Sequence, residues 1–191
     1  MEATATAMCG EAPPSRNPHP GSDMELLIVR HAIAIERGDS AYPNDDERPL
    51  TPEGIHKFRA AARGLKAMVA KPDRIVTSPL VRARQTAEIL RDAVASGLDL
   101  DVSKHLAPGG DHAALVREIA ALGAECVAVV GHEPHLSGLV SYALVGDGRR
   151  ASVLLKKGAA ALVSFDGSAA AGSGTLQWLL QPGALRDVGR A

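Results

Sequence analysis

The sequence predicts an α/β sandwich of three layers around a mainly parallel central sheet, and three observations carry that prediction. Short apolar runs at residues 25–30 and 126–130 lack the alternation of a half-exposed strand, as expected of strands buried on both faces. Between such runs lie stretches whose apolar residues recur at helical spacing, so strand and helix take turns, and right-handed crossovers then give parallel pairing. A length of 191 residues suits one domain with a real core.

The elements follow in order. Residues 25–30 form the first strand, and residues 32–50 break pattern with Gly38, Pro43, Asn44, Asp45, Asp46 and Pro49, a loop long enough to be functional. Thr51 and Pro52 supply an N-cap and a first-turn proline, and Ile55, Phe58, Ala62, Leu65 and Val69 continue a helix that must end before Pro72. A second strand at 73–77 leads into a helix over 78–94 with Leu80, Ala83, Ala87, Leu90 and Val94 on one face. A third strand at 98–102 precedes a turn at Pro108, Gly109 and Gly110, and Asp111 caps a helix through Leu122. Residues 126–130 are the clearest buried strand, Pro134 opens a helix through Leu144, and 159–165 with 175–180 make a closing strand pair. The domain is bounded at 24–185, after a leader of residues 1–23 rich in Ala, Thr and Pro that reads as disordered, and before a tail of 186–191.

Composition narrows the function. Hydrophobic residues make up 46% of the chain and aromatic ones only 3%, so the core must be aliphatic. The 21 Lys and Arg nearly balance the 22 Asp and Glu, which removes any bulk electrostatic reason to expect nucleic acid or a membrane surface. Affinity for an anion must come from a local cluster. No apolar stretch approaches the roughly 20 residues that span a bilayer. Cys9 and Cys126 do not make a disulfide framework, which favours a reducing, cytoplasmic setting.

In open α/β sheets, ligands gather beyond the carboxyl ends of the strands. Arg30 and His31 follow the first strand there, residues 78–82 follow the second, and Gly131 with His132 follow the strand ending at Val130. Because side chains alternate within a strand, Arg30 and His31 reach one ligand only if the chain bends at His31. Arg82 falls in the first turn of its helix, where the macrodipole disfavours a cation, and it has Thr86 four residues on rather than a carboxylate. An unfavourable placement without local compensation marks a site. His132 and His135 have ligand-like spacing, but no cysteine or carboxylate partners accompany them, so no metal is expected and His135 reads as a helix-surface residue. His112 carries no supporting pattern.

Four segments then carry a family resemblance: LLIVRHA around Arg30 and His31, RPLTPEG from Arg48 to Gly54, VTSPLVRARQTAEIL around Arg82, and VVGHEPHLSGL around His132. Taken together they resemble the histidine phosphatase (phosphoglycerate mutase-like) superfamily, and within it the short phosphohistidine phosphatases of SixA type, from about Met24 to Pro182. The resemblance implies a phosphoglycerate mutase-like fold, with His31 as the nucleophile that becomes phosphorylated and Arg30, Arg82 and His132 as the phosphate pocket. Ala32 stands where the family usually has glycine. No cofactor is implied. Larger members draw a leaving-group acid from an inserted segment for which this chain has no obvious room; Asp45 and Asp46 are the local candidates for that acid.

The leading expectation is a phosphatase that removes phosphate from phosphohistidine on a protein. A small-molecule phosphomonoesterase or phosphoglycerate mutase is the second enzyme reading, and a phosphate-dependent binding module is the non-enzyme one. A binder has no reason to keep a nucleophile.

Overall fold

The computed structural model describes residues 23–190; most of the expected leader, residues 1–22, lies outside the described residues. The elements are β1 (Met24–Arg30), α1 (Pro52–Met68), β2 (Arg74–Thr77), α2 (Val81–Val94), β3 (Leu100–Val102), α3 (His112–Ala121), β4 (Cys126–Gly131), α4 (His135–Val145), β5 (Ala160–Phe165), β6 (Thr175–Leu180) and α5 (Pro182–Val188). One six-stranded sheet runs in the order β3-β2-β4-β1-β5-β6. Its first four members pair in parallel, while β5 is antiparallel to both β1 and β6.

The runs without alternation are buried on both faces, as the sequence requires. Leu26, Ile28, Val127 and Val129 join Leu115, Ile119, Leu136 and Leu139 of α3 and α4 in one core. Leu27, Val29, Ala128 and Val130 join Phe58, Leu65, Ala87, Leu90 and Leu185 of α1, α2 and α5 in the other. These two cores make the three layers. Both predicted caps form: the Thr51 side chain accepts from the Gly54 amide at 2.9 Å and the Asp111 carboxylate from the Ala114 amide at 3.1 Å.

A domain boundary at residue 185 cuts through α5, which continues to Val188 and packs on α1. The contact is very close at Gly64, where a Cβ would stand 2.0 Å from the carbonyl oxygen of Leu185. Only a residue without a side chain lets the two backbones meet. Gly64→Ala sets a helix-propensity gain of about 1 kcal/mol against an overlap with backbone that no rotamer change relieves. The overlap wins, with a net loss of about 1–3 kcal/mol. Thermal unfolding should show a Tm lowered by several degrees; an unchanged or raised Tm would contradict the close approach.

Candidate active site

The parallel register sets the site. Arg30 stands opposite Gly131 and Thr77 opposite Val130, so the residues leaving β1, β2 and β4 emerge side by side at one edge. The ladder continues for one step beyond the strands: the His31 amide donates to Gly131 O at 3.0 Å and the Ser78 amide to Val130 O at 2.9 Å. Strand pairing of β1 ends at Arg30, and the Gly158 amide approaches the carbonyls of both Arg30 and His31 at 3.2 and 3.1 Å. The expected departure from strand geometry therefore falls at His31.

His31 is 7% exposed, and its Nδ1 lies 2.7 Å from the carbonyl oxygen of Ala32. A carbonyl only accepts, so Nδ1 carries the proton and Nε2 keeps the lone pair. Burial, reinforced by the positive charges of Arg82, Arg30 and Lys157, outweighs the Ala32 hydrogen bond and pushes the ring's pKa down to about 3. The imidazole is neutral. His132, 2% exposed, has its ring centroid 5.0 Å from that of His31, and its Nε2 is 2.8 Å from Ser78 Oγ. Its pKa is likewise lowered to about 3, by burial first and then by His31 and Arg82. This ring is therefore neutral as well.

Arg82 is 2% exposed in the first turn of α2, whose N-cap Leu80 supplies no side-chain acceptor. Its compensation comes from the long loop. Arg82 Nη1 donates to Asp45 O at 2.7 Å and Nη2 to Asp45 Oδ2 at 3.0 Å. Asp45 sits in a short 3-10 turn, Asp45–Glu47, and also accepts from Arg37 Nε and Arg48 Nε, each at 2.9 Å. Burial alone raises its pKa, but the hydrogen bonds from Arg37 and Arg48 and the charges of Arg82 and Arg48 take it down to about 2. A carboxyl held ionised in this way is a poor proton donor. Asp46 is exposed, and its amide donates to Asn44 Oδ1 at 3.1 Å, closing the same turn.

The structure brings His31, His132 and Arg82 together, with Arg30 beside them. Arg30 Nη1 donates to Leu155 O at 2.7 Å, while its Nε is buried without a partner. Three contributors were missed in the sequence. Thr86, fully buried, donates to Arg82 O at 2.7 Å and accepts from the Ala32 amide at 3.0 Å, tying α2 to the backbone beside His31. Ser78 anchors His132. Glu133 accepts from Ser137 Oγ at 2.6 Å and places negative charge near Arg30. A hydroxyl immediately after a strand, or one turn beyond a candidate arginine, was the available signal for the first two.

His135 is not a surface residue. It is 5% exposed, with its ring 4.3 Å from that of His112, whose Nε2 meets His135 O at 2.9 Å. The start of α4 tucks against the start of α3 because Gly138 leaves room: a Cβ there would lie 2.5 Å from His112 Cε1. Among the described residues, no group of three or more His, Cys, Asp or Glu is disposed to hold a metal ion.

A buried, neutral imidazole pair with an embedded guanidinium at the carboxyl edge of a parallel sheet is an arrangement suited to meeting an anionic group. Comparison with known proteins makes this specific. Residues 26–107 match the model of the histidine phosphatase superfamily (branch 1). Phosphohistidine phosphatase SixA of Escherichia coli is 31% identical over 164 residues, 83% of this chain and 94% of that protein. A solved structure of the protein histidine phosphatase SixA complexed with tungstate superposes with a TM-score of 0.74 at 30% identity, covering 85% of this chain and 99% of that one. A phosphoglycerate mutase from Bacillus anthracis shares the fold alone, with a TM-score of 0.63 at 15% identity over 90% and 99% of the two chains. The chain belongs to the histidine phosphatase superfamily and is a phosphatase.

The histidines make stability depend on pH with a definite sign. Both rings are neutral when folded, with pKa values near 3 against 6.5 in the free side chain, so the unfolded chain binds more protons across that window. Stability should fall as pH drops from about 6.5 towards about 3. Denaturant unfolding at stepped pH should give a shallower fall for the double variant His31→Gln, His132→Gln than for the native chain. Parallel curves would refute neutral burial of these rings.

Proposed function

We propose that the chain dephosphorylates phosphohistidine on a protein, with His31 as the nucleophile. The observation that carries this reading is the Nδ1–H of His31 held by Ala32 O at 2.7 Å, which leaves a neutral Nε2 lone pair available beside Arg82 and His132.

The reaction balances in two transfers. The substrate phosphohistidine enters with its other ring nitrogen protonated from solvent; His31 Nε2 attacks phosphorus, the P–N bond breaks, and the substrate ring leaves as neutral imidazole with that proton. Water then attacks the phosphorylated His31, releasing inorganic phosphate and restoring the neutral ring. Arg82 exchanges its contacts with Asp45 for phosphoryl oxygens, and Arg30 adds a second guanidinium; the planar fork of each suits two parallel bonds to one phosphate. Next to the phosphoryl dianion His132 gains a reason to be protonated and becomes a third donor. In this scheme Asp45 serves as the resting counter-ion of Arg82. A protonated imidazole is a good leaving group, so neither Asp45 nor Asp46 is needed as acid.

Two further features support a protein substrate. The E. coli relative is named for phosphohistidine, and residues 95–125, between α2 and β4, hold only β3, a short 3-10 turn and α3, with no long segment to cover the site. That shortness argues against a mutase, which encloses a small substrate. The location we assign is the cytoplasm, supported by the free buried thiol of Cys126. Among the described residues no helix is long and apolar enough to cross a membrane.

Steady-state hydrolysis of a phosphohistidine peptide, 3-phosphoglycerate and p-nitrophenyl phosphate tests the assignment, with the peptide expected to give the highest kcat/KM. Arg82→Ala should lower kcat on that peptide by roughly 10²–10³ while remaining folded by circular dichroism. Near-native turnover by a folded variant would remove Arg82 from the reaction, and preference for 3-phosphoglycerate would overturn the substrate class.

A further inference from the structure

A cleft of about 500 Å³ opens beside the site, with Arg30 and Ala32 on its inner wall. Its lining is mainly apolar, with Phe58 of α1, Ile33 of the long loop and Pro182 at the start of α5. Lys57, Lys156, Lys157 and Arg186 stand around it, and among the described residues no carboxylate lines it. Lys57 pairs with Glu53, and Lys157 reaches the exposed Glu36 at 3.8 Å. Lys156 and Arg186 have no ion-pair partner among the described residues.

This concentration is local. The whole chain has a formal charge of -1, so five cations around one cleft do not reflect a general basic bias. The cations come from four separate segments: the end of β1, α1, the turn before β5, and α5. The fold gathers them, and it gathers them next to the phosphoryl site. A single phosphoryl group is far smaller than this space and, in the proposed reaction, is met by His31, His132, Arg82 and Arg30, which leaves Lys57, Lys156, Lys157 and Arg186 around the cleft. The cleft therefore faces something attached to the phosphate, negatively charged and with apolar parts.

We propose that the cleft seats an acidic segment of the phosphorylated protein, with carboxylates at Lys156 and Arg186 and an apolar side chain over Phe58 and Pro182. The proposal rests on the phosphohistidine reading and adds to it a rule of substrate choice. Charge complementarity of this kind selects partners and speeds encounter more than it adds raw affinity, and it weakens with salt.

Binding without chemistry provides the test. Two fluorescein-labelled dodecapeptides lacking phosphate, one rich in Asp, Glu and Leu and one with Ser and Gln in place of the acids, are titrated with the full chain in low salt and followed by anisotropy. The acidic peptide should bind, lose affinity on adding salt, and lose roughly tenfold or more with Lys156→Glu, Arg186→Glu. The milder Lys156→Gln, Arg186→Gln pair should lose less, and both variants should hydrolyse p-nitrophenyl phosphate at the native rate. With phosphohistidine peptides, the charge reversal should raise KM for acidic flanks alone and leave kcat unchanged. Equal binding of both peptides, or acidic binding indifferent to both variants, would overturn the proposal. So would variants that raise KM for 3-phosphoglycerate while sparing the acidic peptide, which would assign the cleft to a small substrate. Acidic binding as expected, without hydrolysis of any phosphohistidine peptide, would support the cleft and refute the activity alone.

Discussion

An imidazole can serve as a nucleophile only with a lone pair free and aimed, and for His31, the nucleophile we propose, both conditions trace to the hydrogen bond between its Nδ1 and the carbonyl of its neighbour Ala32. The bond fixes the tautomer. Burial among the positive charges of Arg82, Arg30 and Lys157 keeps the ring from taking up a second proton, and with it a charge that would abolish nucleophilicity. The same surroundings that disfavour an imidazolium favour an incoming dianion, so in the proposed reaction one arrangement both protects the nucleophile and attracts its target.

That carbonyl is itself held in place. The Ala32 amide donates to Thr86 Oγ1, and Thr86 donates in turn to the backbone of Arg82, so the turn after β1 and the first turn of α2 are fastened together. Ser78 at the end of β2 does the same for His132 at the end of β4. Parallel pairing brings these strand ends level, and hydroxyl side chains convert that alignment into fixed ring positions. Asp45 reaches in from the long loop to neutralise Arg82, which explains how a guanidinium is tolerated at the positive end of a helix.

Most of this architecture was legible because it rests on local patterns. The buried strands lacked alternation, Thr51 and Asp111 capped as read, and the catalytic candidates fell where an α/β sheet collects ligands. What escaped depended on partners distant in sequence. Arg82 read as uncompensated because Asp45 lies 37 residues earlier, on a loop whose course no periodicity reveals. His135 read as a surface residue because its burial depends on α3 packing close enough for His112 to fill the space over Gly138, a contact without local signature. The seven residues of α5 are too few to show a helical period, and Gly183 near their start weakens the signal further. The basic cleft was equally hidden, since its five cations come from four segments far apart along the chain.

The proposed chemistry turns on which nitrogen of which histidine carries the phosphoryl group. Brief exposure to a phosphorus-labelled phosphoramidate donor, quenching in alkali, proteolysis and chromatography against the two phosphohistidine isomers measures this directly. The structure predicts a single labelled position, His31, phosphorylated at Nε2, because Nδ1 is committed to the Ala32 carbonyl. Label on His132, on Nδ1 of His31, or on no residue despite release of inorganic phosphate would contradict it.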